Sequence, residues 1–136
     1  MIKGMIMGLK EKSEENEKTA RFAAKKGCYN VAVSRYYYAV LQRMLHYLKS
    51  KNVDFEKFEN TNTSHKNMKE EFFKAFNLNY WGKDKDKIRQ SINYFITLKK
   101  MRVKADYKIE HITDAEYHNN LKNNILKLLM DLKKII

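Results

Sequence analysis

Apolar residues return along this chain at the spacing of a helix, in five successive blocks. In the first, Ile2, Met5, Ile6 and Leu9 share one face, and the following EKSEENEKTARFAAKK is polar until Phe22 and its neighbouring alanines. The pattern predicts helix over about 2–26, either one long helix or a short one followed by a longer one. Ser13 has the chemistry of an N-cap, but Asn16 stands three residues on, where a capping box needs Glu or Gln, so no cap is placed there. Gly27, preceded by Lys25 and Lys26, fits the C′ position that closes a helix.

The second block covers about 29–51, with Asn30 placed to help start it. Val31, Ala32, Val33, Tyr36, Tyr37, Tyr38, Ala39, Val40, Leu41, Met44, Leu45, Tyr47 and Leu48 occupy nearly its whole circumference. A helix apolar all round is expected to be buried in a bundle or at a subunit interface, so this is the predicted central element. A polar connection follows over 52–64. A third helix is expected from about Ser64 to Phe76, edged by Phe72, Phe73 and Phe76, then a loop, NLNYWGKDKDK, broken at Gly82. The fourth helix, about 85–102, carries Ile88, Ile92, Phe95 and Ile96. The last begins after Thr113–Asp114 and places Tyr117, Leu121, Ile125, Leu128, Leu132 and Ile135 on one face. The expected architecture is a single all-α domain, an up-and-down bundle of four to five helices.

Composition sharpens this further. The 136 residues contain no proline and only four glycines, which favours long uninterrupted helices. The single cysteine, Cys28, excludes an internal disulfide and fits a reducing compartment, so a cytoplasmic location is expected. One cysteine and four scattered histidines (His46, His65, His111, His118) offer no zinc-finger spacing, and no metal or other cofactor is implied. No apolar run approaches the ~20 residues of a membrane span, and MIKGMIMGLK lacks the apolar core and cleavage site of a secretory leader. The net charge of +12 attracts polyanions without regard to sequence, although a lysine-rich solvated surface carries the same number.

Candidate chemistry gathers at two arginines. Arg102 follows Phe95 by seven residues, ~20° short of two turns, so it continues the apolar stripe of its helix or snorkels from its end. If the helix persists, Asp106 stands one turn further and Tyr107 adds a ring and a hydroxyl. An arginine, a carboxylate and a phenol at one helix end can bind a phosphate or a base, or pair internally. Arg35 interrupts the apolar second helix, and a buried charge there needs a partner, for which Asp106 is the first candidate. His46 lies on the same face as Arg35 but ~16 Å along the helix, too far for shared chemistry, and is read as a packed residue. Tyr36, Tyr37 and Tyr38 can stack bases or pack a core, and packing is the expected role.

The run G27-C-Y-N-V-A-V-S-R-Y-Y-Y-A39 resembles the G-x-Y-x-x-A-x-x-R-x-Y-Y-A signature of small HEPN-domain proteins. R102-V-K-A-D-Y107 resembles their R-x-x-A-D-Y motif, and His65 falls where they often carry a histidine before a phenylalanine-bearing helix. The resemblance spans about 10–132. It implies a helical bundle, usually homodimeric, of the kind found as RNA-cutting or RNA-binding proteins in prokaryotic toxin–antitoxin and defence loci, often beside a minimal nucleotidyltransferase. It carries Arg102, Asp106 and Tyr107 over as the motif residues of a metal-independent ribonuclease site, and Arg35, Tyr37, Tyr38 and His65 as their support. A homodimer would place Arg102 near its two-fold axis. The catalytic members have four to six residues between the arginine and a following histidine, whereas here the next one, His111, has eight residues between. An ionised Asp106 would also repel a phosphate. The alternative is a non-catalytic module that binds nucleotide, RNA or a nucleotidyltransferase partner.

Overall fold

The computed structural model describes residues 2–50 and 85–134, and every described element is helical. The expected connection over 52–64, the helix to Phe76, the Gly82 loop and His65 lie outside the described residues. Helix α1 runs Ile2–Lys25 without a break, which settles the choice between one long helix and two. It ends in a full Schellman motif. Cys28 N–H donates to the Ala23 carbonyl (2.8 Å) and Gly27 N–H to that of Ala24 (3.1 Å), with Gly27 in the left-handed region at φ 77°. The turn is so short that α2, Tyr29–Ser50, must return antiparallel. The cross-contacts run accordingly, Glu14 with Arg43 and Arg21 with Tyr36. Ser13 is buried between the two helices and donates its hydroxyl to the Ala39 carbonyl (2.6 Å), so it ties α1 to α2 rather than capping anything.

Helix α3 is Lys85–Tyr107, five residues longer than the expected end at Arg102. The last helix, α4, has three contiguous parts: Asp114–Glu116, a π-turn at Tyr117–Leu121, and Lys122–Lys134. Thr113 and Glu116 close a capping box at its start. The T-D-A-E run that carries it obeys the S/T-x-x-E rule. In the π-turn, Lys122 N–H donates to the Tyr117 carbonyl five residues back. This wider turn returns Tyr117, Leu121 and Ile125, spaced by fours, to one face. All three are buried, as are Leu128 and Leu132 of the expected stripe.

The four helices alternate in direction, with α2 in contact with all three others. Lys104 reaches Glu116 and Lys127 reaches Gln90, which sets α3 antiparallel to α4. The core is built mainly from α2 and α4, with Phe95 and Leu98 of α3 and Ala20 of α1 closing it. Two features depart from the expected all-round burial of α2: Val31 and Arg35 face solvent. Near the other end of the helix Arg43 and His46 are buried, His46 in the packed role expected of it. No helix among the described residues is long and apolar enough to cross a membrane.

Candidate functional site

Tyr36, Tyr37 and Tyr38 are consecutive on α2, so their side chains leave the helix about 100° apart. That is why three adjacent rings serve three different neighbours. Tyr36 turns to α1 and α4, where its hydroxyl is hydrogen-bonded to the Tyr117 hydroxyl and to the Arg21 guanidinium. Tyr37 turns to α3, with its ring centre 5.8 Å from that of Phe95 and 4.9 Å from the Arg102 guanidinium carbon. Tyr38, half-buried, stands edge-on to Tyr37 at 5.4 Å and lies 6.0 Å from the same guanidinium.

Arg102 is therefore caged. Because α3 persists to Tyr107, that residue supplies a third ring, 5.8 Å from the guanidinium, and Asp106 comes within 3.7 Å of Nη1. The Asp106 carboxylate also accepts from the Ser34 hydroxyl of α2 (3.3 Å). Only 11% of the Arg102 side chain is exposed, and its Nε is buried with no hydrogen-bond acceptor among the described residues. Magnitudes decide what holds it. An i,i+4 ion pair near the surface contributes about 0.3–0.5 kcal/mol, whereas a desolvated cation–π contact reaches about 2 kcal/mol. The rings, Tyr37 above all, outweigh the carboxylate.

Burial pushes the Tyr37 phenol up to about 12 against the pull of Arg102, so it stays protonated and cannot act as a base near neutrality. Tyr107, in contrast, is 74% exposed. The cluster thus sets a mostly buried guanidinium beside an open phenol ring, a surface suited to stacking a base with a positive charge close behind it.

Of the residues expected to form the site, Arg102, Asp106, Tyr107, Tyr37 and Tyr38 come together, and His65 lies outside the described residues. Arg35 does not join them. It is exposed and reaches the Asn16 side-chain oxygen of α1 at 3.5 Å, while Asp106 is taken by Arg102 and Ser34. The expected Arg35–Asp106 pair is corrected for a simple geometric reason: Arg35 and Ser34 are neighbours ~100° apart on α2, and the serine is the one that faces α3.

A second polar cluster, not anticipated from the sequence, fixes the segment between α3 and α4. The Asn30 carbonyl oxygen accepts from Ile112 N–H (2.9 Å) and its amide nitrogen meets His111 Nδ1 (2.8 Å). With its oxygen already occupied, Asn30 donates to His111, which assigns the imidazole the tautomer protonated on Nε2. Nearby, the Tyr29 hydroxyl donates to the Asp114 carboxylate, and that bond, followed by burial, raises its pKa. His118 Nε2 lies 3.4 Å from the same hydroxyl and 3.7 Å from Asp114. Neither histidine is among the partners of Arg102 in the described residues, which are three tyrosines and an aspartate.

No family model matches the chain. No curated protein and no solved structure matches it either. No group of three or more His, Cys, Asp or Glu among the described residues is arranged to hold a metal.

Proposed function

We propose that the chain is a HEPN-like module that binds single-stranded RNA at the Arg102–Tyr107 end of α3 and holds it without cutting. The observation that carries this reading is the surround of Arg102. Its charge is fixed by aromatic rings and Asp106, with an exposed tyrosine beside it. Metal-independent cleavage of a phosphodiester needs a proton acceptor or donor within hydrogen-bond reach of the reacting oxygens. Among the described residues, the ionisable groups beside Arg102 are Asp106, already bonded to Ser34, and phenols, of which Tyr37 is held protonated. His111, the one residue that would substitute for the missing motif histidine, is engaged by Asn30.

The net charge of +12 supplies the long-range attraction, and Tyr107 the stacking surface. The motif resemblance adds two expected partners, a second copy of the chain and a nucleotidyltransferase of a toxin–antitoxin or defence locus. A titration of fluorescent single-stranded RNA at several salt concentrations tests the reading. Affinity should fall steeply with salt, and Tyr107→Ala should weaken binding at every salt concentration by the ~1–3 kcal/mol of a lost stacking contact. RNA affinity that ignores both salt and Tyr107 would remove the basis for the proposal.

A further inference from the structure

On another face of α2, where Tyr36 points, α1 and α4 line a half-open cavity of about 240 Å³. Its floor is apolar: Ala24, Leu126 and the rings of Tyr36 and Tyr117. Both phenols are almost fully buried and their hydroxyls are bonded to each other, with Arg21 on that of Tyr36. They have little left to offer a polar ligand. The rim is cationic. Arg21 is already matched by Glu17, and His118 stands beside Asp114. Lys25 of α1 and Lys122 of α4 are exposed and take part in no ion pair among the described residues. The uncompensated charge at the mouth is therefore two ammonium groups, one from each helix. The π-turn itself begins at Tyr117 and His118, and such turns recur at functional sites because they displace side chains from the regular helical register.

We infer that this cavity binds a small apolar carboxylate, an aromatic or short-chain acid, with its hydrocarbon body on the Tyr36–Tyr117 floor and its two oxygens at Lys25 and Lys122. The volume is below the ~300 Å³ at which drug-sized sites begin, which restricts the body to a single ring or a short chain. A bare anion leaves the apolar floor unfilled, and a neutral ring leaves both lysines unmatched, so neither satisfies the site. The RNA reading of Arg102 plays no part in this inference.

Amide shifts of the ¹⁵N-labelled protein, titrated with benzoate and with hexanoate, test it. Acetate, inorganic phosphate and benzyl alcohol serve as probes that lack the body, the body and the charge respectively. One of the two acids should give saturable shifts centred on Lys25, Tyr117 and Lys122, and the three controls should bind at least about tenfold more weakly. The double variant Lys25→Gln, Lys122→Gln, changed only at exposed positions, should lose about tenfold in affinity with its spectrum otherwise intact. Ala24→Leu should fill the cavity and abolish the shifts. Absence of saturable shifts with both acids overturns the inference. So does phosphate or benzyl alcohol binding as tightly as the acids, or an affinity unchanged in the double variant.

Discussion

The guanidinium of Arg102 sits 4.9 Å from the centre of the fully buried Tyr37 ring, and this pair joins the two helices that shape the candidate site. The contact couples stability to recognition, because the arginine edge that would face RNA is oriented by a ring of the core. Arg102→Ala should therefore destabilise the fold by about 1–2 kcal/mol, the range of a partly desolvated cation–π contact. Tyr37→Ala, which also empties core volume, should cost about 3–5 kcal/mol. Urea unfolding followed by circular dichroism measures both, and equal small losses would show that the pair is not coupled to the core.

The buried phenols predict the alkaline limb of stability. Tyr36, Tyr37 and Tyr117 all have pKa values raised by burial above the ordinary 10.0, Tyr37 to about 12. A raised folded-state value means that the contribution is fully present below pH 10.0 and is lost as pH rises through the folded value. Phenolate absorbance should accordingly titrate in two populations, with the late one accompanied by unfolding. Tyr37→Phe should delay that unfolding to higher pH.

Glu116 sets a smaller acid limb. The Lys104 ammonium, and then the Thr113 backbone, hold its carboxyl below its usual 4.5. A lowered folded-state value means that the contribution is present above pH 4.5 and lost as pH falls through the folded value. Glu116→Gln should flatten the decline in melting temperature below pH 4.5 and leave that above pH 6 slightly lower. An unchanged acid slope would show that the Lys104–Glu116 bridge between α3 and α4 contributes nothing.

Much of this arrangement is legible in the sequence, and what is not has a physical cause. Gly27 could be read as a helix stop because left-handed backbone strongly selects glycine, and the periodic stripe of α4 could be read because burial repeats with the helix. Helix α3 outruns its expected end because Val103 and Ala105 stand isolated among Arg102, Lys104 and Asp106, which weakens the apolar signal there. Those residues are ordered by the cage around Arg102, which requires tertiary contact. The role of Arg35 is hidden from the sequence for the complementary reason. Composition shows that α2 is mostly apolar, but a strip two residues wide can reach solvent without breaking that pattern, and Arg35 occupies it with Val31. The Asn30 clamp and the π-turn leave no periodic mark, although the Thr113–Glu116 capping box does.

Gly27→Ala isolates the backbone term at the α1–α2 turn. A Cβ there meets nothing within 4 Å, so the entire effect comes from forcing φ 77° on a residue with a side chain. The expected loss is about 1–2 kcal/mol in denaturant unfolding with an unchanged m-value. A neutral result would mean that the turn relaxes out of the left-handed region at no cost.

Asp106 supplies the electrostatic check on the RNA site. Its charge lies 3.7 Å from Arg102 and opposes a phosphate at that edge. Asp106→Asn should tighten RNA binding several-fold while changing stability by less than about 1 kcal/mol, since a partly exposed ion pair contributes little. Weaker binding in this variant would place the carboxylate in contact with the ligand.

The most direct measurement follows affinity and integrity of one labelled single-stranded RNA in the same samples, with wild-type protein and with Arg102→Lys. Lysine keeps the charge but gives up the planar stack on Tyr37 and the fixed donor edge. The RNA should stay intact throughout, bound by the wild type in a salt-sensitive manner and at least about fivefold more weakly by the variant. RNA cleaved by the wild type and spared by Arg102→Lys would contradict this, as would equal affinity for the two proteins.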